Sequence, residues 1–210
     1  MTEADFLRTT RTFYDAIAAD YFDHFRDSWA ERPLDRALLA GFAELVGERP
    51  VLEVGSGPGW VTALLAGHGL AVSGVDLSPE MVAVARREYP ELRFEEGSML
   101  ALDVPDGSLG GLVSWYSCIH TPPGSLPDVF AEFARVLAPG GQLLVAFQVG
   151  DEPLHLVDPF GHPVALDFRR LRPERIAELA GAAGFTETAR LVREPLESES
   201  TQQAFLVFRR

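Results

Sequence analysis

"VLEVGSGPGW", Val51–Trp60, is the stretch that decides the fold. A strand-like run leads into alternating glycines, Gly55, Gly57 and Gly59, and then into a large ring, Trp60. The run before the glycines is short and apolar around Glu53, as in a strand buried on both faces. "GWVTALLAGHG" after it reads as a helix stopped by glycines, and "AVSGVD" as a second strand. Glycines at such a strand-to-helix corner allow a ligand to approach backbone that any side chain would shield, and the bland alternative is a tight corner with no ligand. Asp76 closes the second strand about 20 positions further on, where an open parallel sheet sets a carboxylate beside the glycine turn. There it can accept hydrogen bonds from both ribose hydroxyls of an adenosine. A ribose-containing cofactor is the inference.

The identity of that cofactor turns on the sixth position. A dinucleotide turn, G-x-G-x-x-G/A, needs a small sixth residue so that the helix packs close to the pyrophosphate. Here the sixth residue is Trp60, the spacing is G-x-G-x-G, and Glu53 stands two residues ahead of Gly55. Its negative charge is unwelcome beside a pyrophosphate and suits a cofactor carrying ammonium and sulfonium groups. An NAD(P)-dependent oxidoreductase is therefore the second reading, and a protein that binds the cofactor without turnover the third.

Outward from this core, apolar residues between Thr9 and Trp29 recur at helical spacing, and "LDRALLAGFAELVG" repeats the pattern until Gly47 stops it. "SPEMVAVARREY" is a helix with Ser78 as its cap, Pro79 in the first turn and Glu80 at the positive end of the dipole. "LRFEEG" and "GLVSWY" read as strands, "LPDVFAEFARVL" as a helix and "QLLVAFQV" as a strand. Strands alternating with helices mean right-handed crossovers and an α/β fold with a mostly parallel sheet. The C-terminal part adds the helix "RPERIAELAGAAGF" and two strands, "TETARLVRE" and "QQAFLVFRR", which form an antiparallel hairpin on one sheet edge. No repeat, low-complexity tract or long linker divides the chain. One domain over 1–210 is expected, with N-terminal helices (1–47) over a cofactor-binding core (51–148), a lid (150–168), and a final helix and hairpin (171–210).

Composition narrows the partners. The chain has 210 residues, 47% of them hydrophobic, and a formal net charge of −13. That charge argues against nucleic acid and anionic membranes, whose affinity rests on neutralising phosphates. All 18 residues counted as Lys or Arg are arginine, and asparagine is absent too, which excludes lysine Schiff-base chemistry and a P-loop lysine. The lean toward Ala, Gly, Arg and Pro suggests a GC-rich bacterial genome. Cys118 is alone, so it forms no intramolecular disulfide and no thiolate metal cage, and is expected to be a small buried residue. No apolar run approaches the roughly 20 residues that span a bilayer, and "MTEADFLRTT" lacks the basic start and apolar core of a signal peptide. A cytoplasmic monomer or homodimer is expected.

Taken together, these residues resemble the class I S-adenosylmethionine-dependent methyltransferases. "VLEVGSGPG" is similar to that family's first motif and "VDLSPEMV" to its second. "FEEGSMLALDVPDGSLGGLVSW" is similar to the adenine-reading segment, and "VLAPGGQLLVAF" to its turn into strand five. The resemblance covers Val51 to about Gln148 and implies a Rossmann-like sheet of seven strands, the last antiparallel, with helices on both faces. It implies S-adenosylmethionine as cofactor, with the backbone from Gly55 through Ser56 and Gly57 to Gly59 along the methionine part. It sets Glu53 near the cationic groups, Asp76 on the ribose, Leu77 on the adenine face and the Met99 N–H on the adenine edge. Ser98 stands where many members have Asp, so its hydroxyl would accept from the adenine amino group without charge assistance. Tyr14 and Tyr21 share one helical face; the resemblance offers Tyr21 as a cofactor cover and Tyr14 toward the acceptor, against a simple core role for both.

The chemistry is expected beyond the carboxyl ends of the strands. "WYSCIHTPP" follows the fourth strand and points Trp115 at the cofactor, Tyr116 at the acceptor and His120 at the reactive methyl. Methyl transfer needs the acceptor lone pair in line with the methyl group and any acceptor proton removed. His120 is the candidate general base, because imidazole titrates near neutral pH, and the alternative is a loop histidine bonded to backbone. "GDEPLHLVDPFGHPVALDF", Gly150 to Phe168, is expected as the lid, with His155 and His162 lining the acceptor. A metal held by His155, Asp158 and His162 is set aside, since Pro159 breaks any helix that would align them. The expected reaction moves a methyl group to O or N of a small organic acceptor.

Overall fold

A computed structural model describes residues 3–210, and side chains from Asp5 onward. Met1 and Thr2, which open the stretch read above as no signal peptide and as the start of the domain, lie outside the described residues. The strands of the core are β1 (Val51–Val54), β2 (Val72–Asp76), β3 (Arg93–Glu96), β4 (Leu109–Trp115) and β5 (Leu137–Gln148). β6 (Leu154–Val157) and β7 (Ala165–Phe168) make a separate antiparallel pair, while β8 (Thr186–Arg193) and β9 (Gln203–Arg209) complete the main sheet. Its order is β3-β2-β1-β4-β5-β9-β8, parallel from β3 to β5, with β9 antiparallel to both β5 and β8. The hairpin expected on one edge is there, with β9 as its inner strand.

Alternation along the strands explains why both faces are covered. In β5, Leu143, Val145 and Phe147 face one layer and Leu144 and Ala146 the other; in β9, Ala204, Leu206 and Phe208 oppose Phe205 and Val207. The first layer is α5 (Leu126–Val136) and α6 (Pro173–Ala182), whose Phe130, Phe133 and Ile176 are fully buried. The second is α2 (Pro33–Val46) and α3 (Trp60–Gly67), through Leu39, Phe42, Val61 and Leu65. Such a sheet leaves a crevice at the carboxyl ends of β1 and β4, where the strand order reverses direction.

Two elements close that crevice. α1 (Glu3–Phe25) packs Ala18 and Phe22 on Met81 and Val84 of α4 (Pro79–Glu88), and Phe13 and Ile17 on Leu166 of the β6–β7 pair. The first helix thus begins earlier than expected and ends at Phe25, leaving Trp29 in a short 3-10 turn, Ser28–Glu31. The Gly150–Phe168 segment, expected as a lid, holds the β6–β7 pair. "LHLV" and "ALDF" are short alternating runs, and the proline and glycines between them obscure the pairing. Strand β5 also begins earlier, at Leu137, because an irregular register against β4 accommodates the Pro-Gly-Gly stretch. Among the described residues no helix is long and apolar enough to cross a membrane.

Candidate active site

The glycine turn is built by three glycines doing three different things. Gly57 has φ +53°, and a Cβ there would meet nothing within 4 Å, so its missing side chain leaves cavity space. Gly55, at φ +66°, is pressed on the loop after β4: a Cβ would lie 2.3 Å from the Ser117 Cβ. Gly59 does not line the cavity. It starts α3 with its α-carbon against Phe94, where a Cβ would come within 2.7 Å of the ring, so its role is helix-to-sheet packing and not the ligand contact expected for it.

Asp76 ends β2 and locks the turn. Its Oδ2 accepts from the Gly57 N–H at 2.7 Å and its Oδ1 from the Ser78 N–H at 2.8 Å, while Ser78 in turn caps α4 through Met81 N. Each carboxylate oxygen retains lone-pair capacity for a ligand hydroxyl. Burial pushes the Asp76 pKa up to about 6, against the lowering effect of those backbone donors. Glu53 sits in the middle of a fully buried strand, and its carboxylate accepts from the Thr62 hydroxyl of α3. Burial pushes its pKa up to about 8. A lone buried acid in a central strand opposes the fold's own energetics unless a cation comes to it.

The turn opens into a cavity of about 530 Å³. Of the residues expected on the cofactor, Tyr21, Glu53, Gly55, Ser56, Gly57, Asp76, Leu77, Ser98, Met99 and Trp115 line it, as do Tyr14, Tyr116 and His120. Ser98 already accepts from the Leu100 N–H at 3.2 Å, which holds the turn before β4. Trp60, the residue at odds with a dinucleotide turn, stacks at 5.7 Å on both Tyr21 and Phe22 and so fastens α1 over the cavity. Trp115 packs between Trp29 and Phe205, at 5.8 and 5.2 Å. Tyr116 adopts φ 53°, a left-handed conformation rare for a bulky side chain, of the kind that clusters where structure serves a ligand.

His155 and His162 do not line the cavity. His155 is exposed and bonds the Asp167 carboxylate at 2.8 Å; His162 bonds Asp20 of α1 at 2.7 Å. Alternation is the reason: β6 turns Leu154 and Leu156 to the cavity and His155 outward. Among the described residues no three of His, Cys, Asp and Glu gather as a metal site.

His120 lies at the cavity, yet its chemistry differs from expectation. The Asp167 carbonyl can only accept, so the 3.4 Å contact assigns the proton to Nδ1, and Nε2 accepts from the Tyr14 hydroxyl at 2.8 Å. Both ring nitrogens are occupied by protein. Burial lowers the His120 pKa to about 4 and holds the Tyr14 hydroxyl well above its usual value. A neutral imidazole with so low a pKa is a weak base near pH 7 and serves better to tie α1 to the loop after β4. His120→Gln, which keeps an acceptor for Tyr14, is therefore expected to change turnover by less than about tenfold, against the 10²–10⁴ typical of a lost general base. The pH–rate profile of wild type is expected to show no histidine inflection near 6.5; such an inflection, absent in the variant, would restore the base.

Arg32 and Glu199, missed by the sequence reading, also line the cavity, with Arg193 and Asp35 bonded behind them. Arg32 Nη1 bonds Glu199 at 2.7 Å, and Arg193 bonds Glu199 and Asp35 at 2.5 and 3.0 Å. These groups come from the start of α2, from β8 and from the β8–β9 loop, and no local pattern marks them. Thr10, Ser56, Trp60, Tyr116 and Gln148 each keep a buried polar atom without a partner, and all five residues line the cavity. Buried polar groups are ordinarily paired, so this concentration marks where a ligand belongs.

A family model described as a methyltransferase domain matches residues 51–141. Residues 51–141 thus carry a methyltransferase domain, on the fold of the class I S-adenosylmethionine-dependent methyltransferases. Against a demethylmenaquinone methyltransferase of Chlorobaculum parvum the chain is 37% identical over 101 residues, 47% of this chain and 41% of that one. Against an uncharacterized methyltransferase of Mycobacterium tuberculosis it is 30% identical over 159 residues, 74% and 60% of the two chains. It thus spans less than two thirds of the length of these relatives. The Burkholderia thailandensis 1,6-didemethyltoxoflavin-N1-methyltransferase, crystallised with 1,6-didemethyltoxoflavin and S-adenosylhomocysteine, superposes with a TM-score of 0.77 at 23% identity, covering 100% of this chain and 90% of that chain. The DhpI–S-adenosylhomocysteine complex gives 0.77 at 22%, covering 99% and 98%. At these identities the likeness is one of fold. The residues present fit the family's cofactor: an open glycine backbone at Gly57, a carboxylate at Asp76, a buried acid at Glu53 and unpaired polar atoms around the same space.

Proposed function

We propose that the chain transfers a methyl group from S-adenosylmethionine to nitrogen or oxygen of a small organic acceptor, releasing S-adenosylhomocysteine. The observation that carries this is Glu53, a buried acid facing the cavity beside a glycine turn, where a sulfonium and ammonium would supply the missing positive charge. When bound, the cofactor supplies an activated methyl carbon. The chain's part is to hold and exclude: Asp76 takes the ribose, Leu77, Ser98 and Met99 take the adenine, and α1 with the β6–β7 pair keeps water out. Excluding water strengthens every charge interaction inside and protects the sulfonium from hydrolysis. Positioning then carries the reaction, with acceptor and methyl held in line.

The oxidoreductase reading loses support at Trp60, a large ring stacked on Tyr21 and Phe22 at the position where a dinucleotide turn needs a small residue. A small acceptor is favoured over a macromolecule because the cavity is closed on one side by α1 and lined mostly by rings and aliphatic side chains. Asp76→Ala is expected to weaken S-adenosylhomocysteine binding by roughly 1.5–3 kcal/mol through loss of a charged acceptor. Titration calorimetry of wild type and variant checks this, and unchanged affinity would remove the ribose contact from the account. Release of S-adenosylhomocysteine when an acceptor is added, followed by mass spectrometry, separates an enzyme from a protein that only binds.

A further inference from the structure

The cavity wall beyond the glycine turn is informative in what it has already committed. Among the described residues that line it, Arg32 is the single guanidinium. Its Nη1 bonds Glu199 and lies 3.8 Å from Asp35, while Arg193 closes the group behind it. Two positive groups thus face two carboxylates, and no cation is left unmatched for an anionic acceptor. Glu53 and Asp76 add acids at the cofactor end. The His120 nitrogens are both engaged, on Tyr14 and on the Asp167 carbonyl. What remains open is a set of rings, Tyr21, Phe25, Trp29, Trp60 and Trp115, and the neutral unpartnered polar atoms of Thr10, Ser56, Tyr116 and Gln148, none of which is a base or a counter-charge near neutral pH.

These features select among nucleophiles. An alcohol or an ammonium must lose a proton and finds no free base. A carboxylate or phosphate needs a counter-charge and finds the arginines taken. An aromatic ring nitrogen with an in-plane lone pair needs neither. Its lone pair attacks the methyl carbon, the carbon–sulfur bond breaks with its electron pair remaining on sulfur as a thioether, and the positive charge passes from sulfur to nitrogen. No proton leaves, and the total charge in the cavity is unchanged. Aromatic faces favour a cation on either atom along that path.

We infer that the acceptor is a small uncharged nitrogen heteroaromatic compound, methylated on a ring nitrogen to a permanent cation; this rests on the methyl-transfer reading above. The test uses the full chain loaded with S-adenosylhomocysteine and three ligands of one ring size: N-methylquinolinium, quinoline and 1-naphthoate. The cation is expected to bind about tenfold or more tighter than the carboxylate, with quinoline between them. With S-adenosylmethionine, quinoline is expected to yield a product with one added methyl and a fixed positive charge, while 1-naphthol and 1-naphthoate are turned over more slowly. Equal or tighter binding of naphthoate, or faster turnover of naphthol, would overturn the inference while leaving methyl transfer standing. Failure of S-adenosylhomocysteine itself to bind would instead overturn the reading beneath it.

Discussion

Gly57→Val is expected to lower affinity for S-adenosylhomocysteine on the order of a thousandfold, the largest single-residue effect in the molecule. Three consequences combine. The branched side chain projects into space that is open now, since nothing lies within 4 Å of the added Cβ. A β-branched residue at φ +53° is strained, so the backbone shifts. That shift breaks the Gly57 N–H bond to Asp76, which orients the ribose carboxylate. Gly59→Ala is the informative contrast, because its added carbon meets Phe94 and not the cavity; it is expected to reduce stability more than it reduces binding. All three tryptophans, Trp29, Trp60 and Trp115, line the cavity, so quenching of intrinsic fluorescence reports binding, and thermal melts report folding separately. Equal cofactor affinity in wild type and Gly57→Val would remove the glycine turn from the binding site.

Cofactor affinity is expected to rise with pH by up to about a hundredfold between pH 6 and 8. In the free protein burial holds the Glu53 pKa up to about 8, with Thr62 as its hydrogen-bond donor and Asp76 as a nearby like charge. Below pH 8 the carboxyl is therefore protonated. A cationic ligand favours the ionised form, so binding below this pH releases a proton, and each unit costs affinity up to tenfold. The same shift acts on stability with the opposite sign. An acid whose folded-state pKa is raised favours the native state while protonated, so the free protein loses stability as pH climbs from about 4.5 to 8. Bound cofactor cancels that loss. Glu53→Gln is expected to flatten both profiles above about pH 6, where Asp76 is already ionised, and to bind more weakly than wild type at pH 8. Calorimetry in buffers of different ionisation enthalpy counts the released proton directly; a wild-type affinity independent of pH would show that Glu53 does not meet the cationic groups.

The parts of the site that sequence alone revealed are those set by local chemistry. The turn after β1, the acid at the end of β2 and the Ser78 cap each follow from residue type and spacing within a few positions. The sheet was equally legible, because fully apolar strands separated by helical periods admit few topologies. What escaped was assembled across distance. His120 looked like a base because its loop was right, yet its state is set by Tyr14 and by the Asp167 backbone, 106 and 47 positions away. The Arg32–Glu199 pair spans 167 positions and leaves no pattern in either neighbourhood. His155 and His162 were placed on the acceptor by composition, and strand alternation in β6 and pairing with Asp20 carried them elsewhere. Gly59 fell inside a motif-like spacing, although its reason for being glycine is Phe94.

Equilibrium titration of the wild-type chain with S-adenosylhomocysteine and, separately, with NAD tests the central claim most directly. Saturable binding of S-adenosylhomocysteine at one site per chain, with quenching of the cavity tryptophans and much weaker response to NAD, is the predicted result. Preference for NAD, or no binding of S-adenosylhomocysteine above pH 8 where Glu53 is ionised, would contradict it.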